Sequence, residues 1–140
     1  MCLLDEVLDW NAQRIRCRTA THRAPDNPLR SHDRLGIACG IEYAAQAMAL
    51  HGALAGGAAN GAVDALAGGP SRVGLLAGVR DVRFLVLRLD DIESDLICEV
   101  NHLAGDNLTA LYEFALRDRD RSLLSGRASV ILNAGGRLKV

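Results

Sequence analysis

Aromatic side chains are scarce in this sequence. Phe, Trp and Tyr together make up 4% of the 140 residues, too few for the stacking platforms that bind single-stranded nucleic acids. A basic excess is also missing, because 16 Lys and Arg residues face 17 Asp and Glu residues and leave a formal net charge of −1. Proteins that bind nucleic acids through the phosphates normally carry a clear positive excess. The composition therefore argues against a nucleic-acid-binding protein.

Cysteine is sparse and shows no pattern. No Cys-x-x-Cys pair occurs among the four cysteines Cys2, Cys17, Cys39 and Cys98. This arrangement suits neither a zinc site nor a disulfide framework, and the four scattered histidines add no metal-ligand pattern. We predict no bound metal, reduced cysteines that pack as small apolar residues, and a cytoplasmic protein.

A long uninterrupted apolar run is absent as well. The longest apolar region, residues 35–57, is interrupted by Glu42, Gln46 and His51, whereas a membrane-spanning helix needs about 20 mainly apolar residues. Two acidic residues follow the first four residues, where a signal peptide would carry positive charge. The sequence therefore predicts neither a membrane association nor a secretory signal.

What is present suffices for one packed domain over residues 1–140, since apolar residues make up 49% and the length is that of a typical domain. Residues 38–55 are rich in good helix formers and apolar almost all round, which predicts one long buried helix. Residues 56–72 contain five glycines and a proline and predict a flexible loop. The phosphate-loop patterns GxGxxG and GxxxxGK[ST] are missing, so this loop is not a nucleotide signature.

Segments typical of β-strands flank the helix. Residues 3–8 and 14–21 predict a hairpin with a turn at 10–13, because the second segment alternates between apolar residues and arginines. An irregular, proline-containing stretch leads from there to the helix. Four further strand segments follow the helix, at 73–89, 95–106, 108–118 and 123–133. One helix among strands predicts an α+β fold with the helix on one face of an antiparallel sheet.

Three stretches resemble the 3-hydroxyacyl-acyl carrier protein dehydratases. MCLLDEVLDWNAQRIRC is similar to the opening of that family, and IEYAAQAMALHGAL to the (Glu/Asp)-x-x-(Ala/Trp)-Gln motif of its central helix. The strand segments after residue 74 resemble the carboxyl-terminal strands of the family. The likeness is greatest to divergent predicted dehydratases of aryl-polyene and fatty-acid-like pathways. It implies the hotdog fold, in which a curved antiparallel sheet wraps one central helix.

The resemblance also implies a hydro-lyase reaction. In this family a base removes a proton from C2 of a 3-hydroxyacyl thioester and an acid protonates the departing C3 hydroxyl. A backbone N–H at the start of the helix polarises the thioester carbonyl. Glu42 matches the acid, and burial on the apolar helix is expected to raise the pKa of its carboxyl, as a general acid requires. The predicted substrate-binding residues are Asn27, Gly36, Gln46 and Gly78, and no cofactor is implied because the thioester itself acidifies C2.

The catalytic histidine of the family does not carry over. It lies nine residues before the glycine that starts the helix, and counting back from Gly36 reaches Asn27, whose side chain is not a base. His32 and His22 are the candidates that remain for the catalytic base, and each is otherwise a solvated loop residue. The alternative is that Glu42 serves as acid and base in turn. His51 is predicted to be a packing or interface residue, and His102 a structural one.

Three functions stay open on these grounds. The first is a dehydratase for acyl chains carried on acyl carrier protein or coenzyme A. The second is a hotdog acyl-thioesterase that uses Glu42 together with Asn27. The third is a non-catalytic accessory subunit of a dehydratase complex, which the missing histidine motivates.

The expected partners follow from the same resemblance. Hotdog sheets usually pair edge to edge, which implies a homodimer or a heterodimer with another hotdog subunit. The arginines of one predicted strand face, Arg14, Arg16 and Arg18, either dock an acidic carrier protein or pair with nearby acids.

Overall fold

The amino-terminal hairpin forms where the alternation predicts it. The computed structural model describes residues 2–55, 74–106 and 108–132, and within them strand β1 (Glu6–Trp10) pairs with β2 (Arg14–Thr19). The backbone N–H groups of Gln13 and Arg14 both donate to the side-chain oxygen of Asn11 in the turn between the strands. This local bonding to an asparagine is a common way to fix a tight turn.

The predicted helix is confirmed, with small differences at its start. A single 3₁₀ turn, Ile37–Cys39, leads into helix α1 (Gly40–Ala55). The helix buries Tyr43, Ala44, Ala47, Met48 and His51 against the sheet. A Cβ added to Gly40 would lie 2.6 Å from a Leu124 methyl group, so glycine lets the helix start press directly onto the sheet. The predicted loop 56–72 lies outside the described residues.

Four long strands follow, β3 (Gly74–Phe84), β4 (Leu96–Gly105), β5 (Thr109–Asp118) and β6 (Arg121–Leu132). The six strands form one sheet in the order β1-β2-β4-β5-β6-β3, and all pairings are antiparallel. Strand β3 is therefore one end of the sheet, with β6 on one side and no described strand on the other. One face of the sheet packs on α1, and we call the opposite face the outer face.

One strand boundary was predicted wrongly. The segment expected to run to residue 89 leaves the sheet after Phe84, because residues 87–89 bond to the helix entry instead of to β6. The N–H of Ile37 donates to the Leu87 carbonyl, and the N–H of Leu89 donates to the Leu35 carbonyl. The Asp90 carboxylate accepts from the Leu35 N–H at 2.9 Å. The sequence of a continuous apolar run does not show where the run leaves the sheet and begins to pair with another segment.

The cysteines are free, as predicted, but they do not all pack in the core. Cys17 and Cys98 are buried register partners on β2 and β4, Cys39 is partly buried, and Cys2 is exposed. Burial raises the pKa of the Cys17 thiol to about 11. In the described part of the chain, no helix is long and apolar enough to cross a membrane.

Candidate functional site

Glu42 lies in the first turn of α1, on the side of the helix that no described residue covers. It is exposed, and it forms no hydrogen bond or ion pair with the described residues. Farther along the same face, Ala45 and Ala49 border a small apolar slot of about 30 Å³, whose other walls include Leu76 of β3 and Val130 of β6. The Glu42 carboxylate therefore has no partner among the described residues and lies at the end of an apolar helix face, next to the edge strand β3.

The expected burial of Glu42 is wrong for the single chain. The helix is apolar almost all round, but it lies at an open side of the sheet, and only its inner face meets side chains of the sheet. A surface that covers Glu42 would have to come from outside the described residues.

Asn27 is buried in a polar network that fixes the loop ahead of the helix. Its Nδ2 donates to the Thr21 carbonyl at 2.8 Å and to the Tyr43 hydroxyl at 3.1 Å, and its Oδ1 accepts from the Leu29 N–H at 2.8 Å. The Thr21 hydroxyl lies 2.8 Å from the Tyr43 hydroxyl and donates to the Leu3 carbonyl. These contacts engage both ends of the Asn27 amide in holding the loop.

Gln46 is bound to the amino-terminal segment. Its Oε1 accepts a hydrogen bond of 2.7 Å from the Leu3 N–H, and Leu3 is buried against the core. The Leu3 carbonyl also accepts a hydrogen bond from the Thr21 hydroxyl. The segment before β1 is therefore bonded to both the helix and the loop. The geometry gives Gln46 a positioning role in the single chain.

The two candidate bases lie in different surroundings, and neither forms a hydrogen bond with Glu42. His22 is fully buried, contrary to the expectation of a solvated loop residue, and its Nε2 lies 2.9 Å from the Ile92 carbonyl. Burial lowers the pKa of His22, and its Nδ1 has no partner among the described residues. His32 is exposed, as expected, in a turn where its φ is 53°.

The two predicted glycines lie apart. Gly36 immediately precedes the 3₁₀ turn before α1, is exposed, and has open space where a Cβ would lie. Gly78 belongs to β3, opposite the outward-facing Ser129 of β6. A bulge between Leu76 and Gly78 sends these two residues to opposite faces of the sheet. The structure therefore does not bring Gly78 to the helix face of Glu42.

A second buried polar cluster joins the far half of α1 to the sheet. His51 is buried, its Nδ1 lies 2.9 Å from the Tyr112 hydroxyl, and its Nε2 lies 3.0 Å from the Asn11 carbonyl. Since a carbonyl only accepts, Nε2 is the donor, and in the neutral ring Nδ1 accepts from the Tyr112 hydroxyl. The His102 ring packs 5.3 Å from the Tyr112 ring. The predicted packing role of His51 is confirmed.

Sequence reasoning missed Tyr43 as the centre of the network at the helix start. The available signal was a tyrosine on the inner face of an otherwise apolar helix, since a buried tyrosine hydroxyl normally finds a partner. No group of side chains able to hold a metal ion occurs among the described residues.

The arginines of β2 are paired with nearby acids. Arg14 lies within 4.0 Å of Asp9, Arg16 donates to Asp9 at 2.6 Å, and Arg18 bonds to Glu6 at 2.9 Å. Arg18 also contacts Asp95. Of the two alternatives left open by the sequence, the geometry shows local pairing.

Several solved structures share this architecture. The dehydratase heterocomplex ApeI:P from Xenorhabdus doucetiae matches with a TM-score of 0.73 and 22% identity, covering 97% of this chain and 86% of that chain. A thioesterase from Haemophilus influenzae matches with a TM-score of 0.60 and 8% identity, over 91% of this chain and 76% of that one. A hypothetical thioesterase with coenzyme A from Streptococcus pneumoniae matches with a TM-score of 0.58 and 7% identity, over 91% and 84%. These likenesses confirm the α+β hotdog fold.

The family follows from the sequence match. No curated protein sequence matches the chain. The family model for ApeP-like proteins, described as ApeP dehydratase, matches residues 1–135, which is nearly the whole length of 140 residues. The chain therefore belongs to the ApeP-like dehydratase family.

Proposed function

We propose that this chain is one subunit of a 3-hydroxyacyl-thioester dehydratase and that Glu42 is its general acid. The supporting observation is the state of Glu42, an exposed carboxylate on an apolar helix face, with no partner among the described residues. Family membership supplies the reaction class. The acyl chain is carried as a thioester of acyl carrier protein or coenzyme A.

The reaction needs an acid and a base on opposite sides of the C2–C3 bond. A base takes the C2 proton, the electron pair forms the C2–C3 double bond, and the C3 hydroxyl leaves as water with a proton from Glu42. The products are a 2-enoyl thioester and one water molecule. Backbone N–H groups at the start of a helix favour the negative charge that develops on the thioester oxygen, and Gly36 and the following 3₁₀ turn occupy this place.

The base is proposed to come from a second subunit. His22 is buried and bonded to a backbone carbonyl, and His32 forms no hydrogen bond with Glu42. A second hotdog subunit that carries a histidine would complete the pair. The structural relative from Xenorhabdus doucetiae is itself a heterocomplex, ApeI:P, which supports a heterodimer in preference to a homodimer.

The edge strand β3 offers the surface for this partner. No described strand covers its outer edge, and its apolar side chains Leu76 and Val79 are each 40% exposed. Leu76 also lines the slot next to Ala45 and Ala49, so a strand added to β3 would cover the helix face of Glu42 as well. That cover would exclude water from the surroundings of Glu42.

The thioesterase alternative gains no support from the site. It requires Asn27 to act beside Glu42, but the Asn27 amide is buried and engaged at both ends. The accessory-subunit alternative rests on the same missing base, and it differs in assigning no chemistry to Glu42.

A reconstitution assay tests the proposal. A 3-hydroxyacyl carrier-protein thioester is incubated with the purified chain alone, with an ApeI-type subunit alone, and with both, and the acyl mass is followed. We expect loss of one water molecule to be fast only with both subunits. Full dehydration by the ApeI-type subunit alone, unchanged on addition of this chain, would refute a catalytic contribution.

A further inference from the structure

The outer face of the sheet holds a large cleft that the proposed dehydratase does not use. Its volume is about 690 Å³, and it lies over β4, β5, β6 and β3, on the side of the sheet away from α1. The small residues Ala115 and Ser125 form its floor and are register partners on β5 and β6. The cleft forms because Ala115 and Ser125 are short, whereas the side chains around them on the outer face are long and charged.

Three arginines stand around Ser125. Arg83 is the register partner of Ser125 on β3, and Arg127 lies two residues farther along β6. Arg117 lies two residues beyond Ala115 on β5. Neighbouring strands are about 4.8 Å apart and alternate residues of one strand about 6.8 Å apart, so three guanidinium groups can reach one small ligand above Ser125.

These three arginines, like Arg80 on β3, have no ion-pair partner among the described residues, in contrast to the arginines of β2. Arg14, Arg16 and Arg18 on β2 all pair with acids. By contrast, Arg83, Arg117 and Arg127 form no hydrogen bond or ion pair through their side chains with described residues.

The Nε of Arg117 is an orphaned donor. It is shielded from solvent and has no hydrogen-bond partner. Buried donors are nearly always satisfied, so this one could bond an added acceptor in the cleft, although the Nε of Arg14 on β2 is orphaned in the same way. Three guanidinium groups and the Ser125 hydroxyl together match the many acceptor oxygens of a phosphate.

Acidic residues also line the cleft, and Glu113 is the register partner of Arg127 on the neighbouring strand. Glu99 and Glu113 flank Ala115, and Asp81 lies on β3. Glu99 lies 3.7 Å from Arg14, whereas Glu113 and Asp81 form no ion pair with described residues. These carboxylates would repel a second anionic group, but they would accept hydrogen bonds from an amine or hydroxyl.

We propose that this cleft binds a small monophosphate ester whose organic part carries an amine or hydroxyl donor. Arg83, Arg117, Arg127 and Ser125 hold the phosphate, and Glu113 accepts from the donor. The proposal is independent of the dehydratase function, because the cleft and Glu42 lie on opposite sides of the sheet.

Isothermal titration of the full chain with two probes tests the proposal. Inorganic phosphate is the first probe, and O-phosphoethanolamine, which adds an ammonium group, is the second. We expect saturable binding of both, with the second tighter by about 3-fold or more because of Glu113. Glu113→Gln should remove this difference and leave phosphate binding intact.

The decisive test compares the affinities of variants that lack an arginine of the cleft with that of a variant that lacks an arginine elsewhere. Arg117→Gln should weaken both probes by about 10-fold or more, since it removes a charge-assisted contact. The exposed Arg127→Gln should do the same, and it keeps the test valid if Arg117→Gln folds poorly. Arg121→Gln, which removes the same charge from a surface pair with Asp118 at the start of β6, is the control and should change neither affinity. No saturable binding by the wild type, or equal losses in all three variants, would overturn the proposal.

Discussion

Removing one hydroxyl group from the helix start is predicted to destabilise the whole chain. In Tyr43→Phe the ring stays the same size, so no large cavity forms at this fully buried position. The change removes the contacts of the hydroxyl with Thr21 Oγ1 at 2.8 Å and Asn27 Nδ2 at 3.1 Å. Buried polar groups left without a partner cost about 1–3 kcal/mol.

The expected magnitude lies in the lower half of that range. Asn27 keeps its bond to the Thr21 carbonyl, and the Thr21 hydroxyl keeps its bond to the Leu3 carbonyl. A loss of about 1–2 kcal/mol corresponds to about 3–7 °C, since the unfolding entropy of a chain of this size is roughly 0.3 kcal/mol/K. Circular dichroism during thermal unfolding measures the shift.

A double-mutant cycle separates the hydroxyl contact from other effects. Thr21→Val and Tyr43→Phe each remove one side of the same contact, so their combined effect should be smaller than the sum by about 0.5 kcal/mol or more. A melting temperature of Tyr43→Phe within 1 °C of the wild type, or strictly additive effects, would refute the reasoning about the network.

Three further outcomes follow from burial and exposure. Burial lowers the pKa of His22 and of His51, so the unfolded chain takes up more protons and stability falls as the pH drops through about 6.5. Between pH 7.5 and 5.5 the free energy of unfolding should fall by at most about 1.4 kcal/mol for each histidine. Urea unfolding at the two pH values measures this fall, and an unchanged midpoint would contradict it. A thiol reagent should label the exposed Cys2 first and the buried Cys98, whose pKa burial raises, only after unfolding; labelling of both at one rate in the native chain would contradict this order. Val79→Lys, which puts a charge on the open edge of β3, should abolish association with a second subunit in sedimentation experiments, whereas unchanged association would move the interface elsewhere.

The fold could be predicted from the sequence because its signals are local and repeated. Alternation in β2 and the apolar Ala-rich composition of α1 each specify one element, and the order of elements limits the topology. The end of β3 could not be predicted, because residues 87–89 pair with the helix entry, far away in sequence. The periodicity of the sequence does not indicate a pairing between such distant segments.

The candidate site was harder to predict because side chains of one type serve different roles. Glu42 has its expected place on the helix, but its exposure depends on what lies beside the helix and not on the helix composition. Asn27 and His22 both precede the helix in a polar loop, and both prove to be buried and bonded within the loop region. Asn27 bonds to Tyr43 and His22 bonds to Ile92, and the sequence spacing does not predict either contact.

Replacing the Glu42 carboxylate in the assembled dehydratase tests the central claim most directly. The dehydration rate of a 3-hydroxyacyl thioester is measured by mass spectrometry for the complex of this chain with a second hotdog subunit, using wild type, Glu42→Gln and the exposed control Glu93→Gln. General acid catalysis predicts a fall in kcat of about 100-fold or more for Glu42→Gln only, with KM little changed. A Glu42→Gln complex that assembles normally and keeps the wild-type kcat would contradict the assignment of Glu42 as the acid.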